Sequence, residues 1–191
     1  MKLYLIRHGE TENNVKGLFS GWFQAQLTDV GREQAKRAGE RLKDISFDRI
    51  YASDLDRTRE TASLIFPDKE IVYTPVIREI DVGSLSGQPY SKGDELARHS
   101  YNFTPFGGEN REQLIDRITR FLHEIEPLSL SCERIAAVTH GGLICNILDA
   151  ITGGNIGTKH STCENCSVSV FEYIPERGWR LVKWNDTGDL P

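Results

Sequence analysis

A short apolar strand that stops at a histidine and a glycine occurs twice in this chain, and chance is a poor explanation. Leu3-Tyr4-Leu5-Ile6 runs into Arg7-His8-Gly9-Glu10-Thr11, and Arg134 to Thr139 runs into His140-Gly141-Gly142. The second copy continues as a helix with Ile144, Ile147, Leu148 and Ile151 on one face. Strands that alternate with helices predict an α/β fold, a mostly parallel sheet with helices on both faces. In such sheets ligands collect outside the carboxyl ends of the strands, so Arg7, His8 and His140 are expected on one rim. Arg7 offers a planar fork of donors suited to phosphate or carboxylate. His8 suits a nucleophile or proton carrier near neutral pH, and Gly9 lets backbone N–H groups approach an anion. Taken alone, a structural Arg and His would serve such a turn equally well.

The stretches between the two copies supply more candidates. Val15 to Leu27, with Ser20-Gly21-Trp22, reads as a loop in which Ser20 and the Gly21 amide can donate to an anion. Thr28 reads as an N-cap for a helix carrying Ala35, Ala38, Leu42 and Ile45. A second strand, Arg49 to Ala52, ends at Ser53, and Ser53 or Asp54 is expected to cap the helix behind Leu55, Thr58, Ala62 and Ile65. Arg57 falls in the first turn of that helix, where a cation opposes the helix dipole. A bound anion would remove the conflict; an ion pair with Asp54 or Asp56 on a solvated face would explain Arg57 as well.

Ile71-Val72-Tyr73 is a third short strand, followed by Arg78-Glu79-Ile80-Asp81-Val82-Gly83. Glu79 is a general-acid candidate near a strand end, with Asp81 its competitor two residues on. Residues 84–108 have poor periodicity, with a short helix expected within Lys92 to Tyr101, and read as a lid or substrate-selecting segment. Glu109 to Glu126 is the clearest helix, its face built from Leu114, Ile118, Phe121 and Ile125 and widened by Ile115 and Leu122, with Pro127 ending it. Ser167 to Ile174 and Trp179 to Trp184 predict a C-terminal antiparallel hairpin.

The whole, 191 residues, suits one domain spanning 1–191. A net charge of −5 disfavours a general nucleic-acid binder, so positive groups for an anionic ligand must be concentrated locally. Met1-Lys2 leads straight into the first strand and no apolar run approaches membrane-spanning length, which predicts no signal peptide, no membrane partner and a cytoplasmic location. Four cysteines fit thiols better than disulfides. His160, Cys163 and Cys166 have a metal-like spacing, but a structural site wants four ligands, so buried or loop cysteines are the favoured reading and no metal is expected.

Taken together, Arg7-His8-Gly9 with Asn14, Ser53…Arg57…Thr61-Ala62, Glu79 and His140-Gly141-Gly142 resemble the histidine phosphatase superfamily. The branch is the one containing phosphoglycerate mutases and small metabolite phosphatases such as α-ribazole phosphatase. The resemblance runs from Leu3 to about Phe171, and Gly107-Gly108-Glu109 and Asn165-Cys166-Ser167-Val168 fit it too, the latter placing Cys166 in a packed strand. The chain departs from the family pattern at Ser84-Leu85-Ser86-Gly87, where small phosphatases often carry an aromatic residue and a glutamate. The resemblance implies a three-layer, phosphoglycerate mutase-like fold and hydrolysis of a small phosphorylated metabolite through a phosphohistidine on His8. It implies that Arg7, Arg57 and His140 bind the phosphoryl oxygens, that Asn14, Ser20, Gly21 and Gly141 contact substrate, and that Glu79 is the acid. No cofactor is implied. The alternative is mutase-type transfer between hydroxyls, and a homodimer is left open.

Overall fold

The fold is described from a computed structural model over residues 1–92, 100–153 and 162–188. Strands β1 (Lys2–Arg7), β2 (Arg49–Ser53), β3 (Val72–Thr74), β4 (Arg134–Thr139), β5 (Val168–Ile174) and β6 (Gly178–Asp186) form one sheet in the order β3-β2-β4-β1-β5-β6. The first four are parallel; β5 runs antiparallel to β1, and β6 closes the predicted hairpin. Helices α2 (Asp29–Leu42) and α3 (Asp56–Ile65) cover one face, where Ala35, Ala38, Leu42, Ala62 and Ile65 pack on Ile6, Ala52 and Val138. Helices α4 (Arg111–Ile125) and α5 (Gly141–Thr152) cover the other, with Leu114, Phe121, Ile144 and Ile147 against Leu5, Ile135 and Ala137. Successive strand residues point to opposite faces, so each strand feeds both cores. This is the three-layer α/β architecture that the alternation predicted. Among the described residues no helix is long and apolar enough to cross a membrane.

The register positions the site. Arg7 lies beside Thr139, and Ala52 beside Val138, so β1, β4 and β2 end together. The residues just past those ends, His8 and His140, are therefore neighbours, and Ser53 stands on the far side of His140.

Several local expectations are corrected. The loop after the first turn begins with a short helix, α1 (Glu12–Lys16), closed by a capping box between Thr11 and Asn14. Helix α3 is capped at Leu55 without a side-chain bond, while the Ser53 hydroxyl bonds His140 Nε2 and accepts from Leu55 N–H at 3.5 Å. Cys166 is buried but sits in the turn before β5 at φ +55°, not inside the strand. His160 and most of the helix expected within Lys92 to Tyr101 lie outside the described residues.

Candidate active site

A cavity of about 330 Å³ opens at the carboxyl ends of the parallel strands. Its walls include Arg7, His8, Asn14, Arg57, Glu79 and Gly141, with Ser20 and Gly21 on the same loop side. The sequence thus brings eight of its nine site candidates to one cavity. The ninth, His140, stands directly behind His8, ring centroids 5.3 Å apart, and is fully buried.

His8 is held by its own turn. Nδ1 lies 2.7 Å from the Gly9 carbonyl oxygen, which can only accept, so Nδ1 carries the proton and Nε2 keeps its lone pair. Burial, then the Arg57 and Arg7 guanidiniums, hold its pKa well below the ordinary imidazole value. A neutral imidazole with a bare Nε2 is the form a nucleophile needs. The turn itself is clamped by the Gly9 N–H donating to Thr61 Oγ1 (3.0 Å) and by Asn165 Nδ2 donating to the His8 carbonyl (2.9 Å).

The cations are fixed by backbone carbonyls, which orient them without neutralising them. Arg57 donates Nη1 to Phe23 O (3.0 Å) and Nη2 to Gly21 O (2.7 Å). It pairs with neither Asp54 nor Asp56; Asp54 is taken by Arg78 in a two-pronged pair at 2.6 Å. Burial pulls the Arg57 pKa down to about 10, although Glu79 works the other way. The role shown for Gly21 is therefore its carbonyl on Arg57, whereas the sequence pointed to its amide. Arg7 donates Nη1 to the Cys163 carbonyl. Gly141 leaves room for it, since an added Cβ would come within 3.2 Å of Arg7 Nε. His140 shares a 2.9 Å hydrogen bond between Nε2 and Ser53 Oγ, and burial, then Arg57, keep it neutral. Among the described residues Arg7 Nε, Arg57 Nε and His140 Nδ1 are buried without a hydrogen-bond partner. Unpaired buried donors are costly unless a ligand answers them.

Glu79 is the carboxylate of the cavity. Its Oε1 accepts from Ile80 N–H (3.0 Å) and its Oε2 from Gly142 N–H (2.9 Å), at the start of α5. Asp81 turns away, with Oδ1 bonded to Gly83 N–H (2.9 Å), and is not part of the lining. Asn14 Oδ1 accepts from Thr11 N–H (3.1 Å) and Asn165 Nδ2 (3.4 Å). Ser20 Oγ accepts from Asn13 Nδ2 (3.3 Å), which leaves its proton to offer.

The sequence matches the profile of the histidine phosphatase superfamily (branch 1) over residues 3–187. The chain belongs to that family. A metal-independent phosphoserine phosphatase of Arabidopsis thaliana is 33% identical over 202 residues, covering 99% of this chain and 83% of that protein. A 2,3-bisphosphoglycerate-dependent phosphoglycerate mutase of Methylobacterium sp. is 36% identical over 171 residues, covering 78% and 81%. Among solved structures, a phosphoserine phosphatase mutant from Entamoeba histolytica in complex with phosphoserine superposes with a TM-score of 0.86 at 25% identity, covering 100% of this chain and 99% of that one.

Sequence reasoning within this superfamily pattern missed Arg117 and Trp22. Both donate to the Glu79 carbonyl, Arg117 from Nη2 (3.1 Å) and Trp22 from Nε1 (2.8 Å). For Arg117 a signal existed: a cation placed on the apolar stripe of α4, three residues after Leu114 and four before Phe121.

Proposed function

We propose that this histidine phosphatase hydrolyses a small phosphorylated metabolite through a phosphohistidine on His8. The observation that carries the reading is the neutral His8, its Nε2 lone pair free, set among buried cations with unanswered donors. In the first half-reaction Nε2 attacks phosphorus, the bond to the leaving oxygen breaks, and protonated Glu79 gives its proton to that oxygen. In the second, the Glu79 carboxylate takes a proton from water, the water oxygen attacks phosphorus, and Nε2 leaves. Charge in such a transition state spreads over the three phosphoryl oxygens, so Arg7, Arg57 and His140, fixed before substrate arrives, supply most of the acceleration. Asn14, Ser20, Gly21 and Gly141 complete the wall, and residues 84–108 select the organic part of the substrate. The charge is neutralised by side chains, so the reading needs no metal. That none of the four cysteines is in a disulfide supports a cytoplasmic location.

The test follows phosphate release and phosphoglycerate interconversion together at equal enzyme, over a panel of phosphorylated metabolites, with His8→Ala as the blank. Phosphate release is expected to dominate on at least one metabolite and to vanish in the blank. Interconversion well above release across the panel would move the assignment to the mutase alternative.

A further inference from the structure

We infer that Arg117 and Glu109 are positioning residues for Glu79: a buried ion pair that fixes where the acid stands. The inference rests on the proposed role of Glu79. All five N–H donors of Arg117 are used. Nε and Nη2 meet Glu109 Oε1 and Oε2 at 2.8 and 2.7 Å, a bidentate pair whose side chains are only 10% and 14% exposed. Nη1 donates to the carbonyls of Val76 (2.8 Å) and Arg78 (3.0 Å), and Nη2 also to that of Glu79 (3.1 Å). Glu109 closes the ring from the other side: its Oε2 accepts from Asp81 N–H (2.9 Å), and its own N–H donates to Asp81 O (2.8 Å).

The backbone on both sides of Glu79 is thereby tied to α4, through Arg117 in its body and Glu109 just before its cap. A buried ion pair gives little net stability over an apolar one, so stability alone does not account for it. What it does give is a fixed backbone at a loop residue whose side chain must reach a leaving oxygen. Small displacements of a positioned catalytic group are costly in rate. The carboxyl end of Glu79 rests on Gly142 N–H and packs closely on that residue: a Cβ on Gly142 would fall 2.6 Å from Glu79 Oε1. A shift of the Glu79 backbone is therefore transmitted to the carboxyl group.

A displaced acid hurts most where the leaving oxygen most needs a proton. Glu109→Gln, isosteric and still able to bond, is expected to slow phenyl phosphate about tenfold more than p-nitrophenyl phosphate, whose leaving group needs little protonation. Arg117→Lys, which keeps the charge pair but releases at least two of the five bonds, is expected to shift the ratio in the same direction. In a Glu79→Gln background neither change should shift it further. Equal losses on both substrates, or a further shift without Glu79, would overturn the positioning role. Glu79→Gln with no leaving-group discrimination of its own would overturn the acid assignment and the clamp with it. Discrimination in Glu79→Gln but in neither clamp variant would overturn the clamp alone.

Discussion

His8 and His140 are two neutral imidazoles, fully or nearly buried, beside two arginines, and that has a cost in acid. Both have pKa values held well below the ordinary value of about 6.5. Below that pH the unfolded chain takes up protons on both rings and the folded chain does not. The folded state therefore loses stability as pH drops from about 6.5 toward the folded values, by up to ~1.4 kcal/mol per pH unit for each ring. Urea midpoints between pH 6.5 and 5 are expected to show this slope. His8→Asn should remove about one proton's share of it, and inorganic phosphate should flatten it by favouring the charged rings. An unchanged slope in both would contradict the neutral state of His8. At this scale the residues that meet at the cavity were legible, because Arg7-His8-Gly9, Arg57, Glu79 and His140-Gly141-Gly142 point to it together and in order, not because Arg-His-Gly does so alone. Their fixings were not, because Phe23 O, Gly21 O and Cys163 O reach them from segments that no local pattern connects. Glu79 is held by Gly142, Ile80, Trp22 and Arg117, none of them in the departing stretch Ser84-Leu85-Ser86-Gly87.

Among the elements, the joint between β1 and α2 governs the nucleophile. The Arg7-His8-Gly9 turn packs directly on the first turn of α2. An added Cβ on Gly9 would fall 2.4 Å from Gly31 O, and one on Gly31 2.1 Å from Glu10 O. Both obstacles are backbone and cannot rotate away. Thr28 reinforces the joint, its N–H donating to Glu10 O (3.0 Å) and its Oγ1 to Glu10 Oε1 (2.7 Å), while Oγ1 accepts from Gly31 N–H (3.0 Å). Gly31→Ala is expected to destabilise by about 1–3 kcal/mol through overpacking, and to lower kcat with it. Val30→Ala, one residue away and 56% exposed, should stay within about 0.5 kcal/mol. Equal urea midpoints for the two variants would show that the contact yields easily. Helices α2 and α4 were legible from their 3.6-residue apolar stripes, α2 also from its Thr28 cap. Helix α1 was not, because five mostly polar residues carry no stripe. The cap of α3 was misplaced because it stands two residues beyond Ser53, at apolar Leu55, which has no side-chain acceptor.

Across the whole molecule, one sheet order gathers a site from five distant parts of the chain. β4 between β1 and β2 sets the two histidines side by side, and α5, starting at the end of β4, brings the Gly142 N–H to Glu79. The alternation of strands and helices foretold the layers, and the C-terminal hairpin was legible from its turn. The strand order was not, since it depends on pairings between residues more than a hundred positions apart, such as Lys2 with Arg134. On the proposed reading, this assembly serves one covalent bond, from His8 Nε2 to phosphorus. Its most direct test is rapid mixing with a substrate labelled in the phosphoryl group, followed by acid or alkaline quench. Label is expected on His8, surviving alkali and lost in acid, with none on the His8→Ala protein. Stoichiometric label on the His8→Ala protein, or acid-stable label on the wild type, would contradict it.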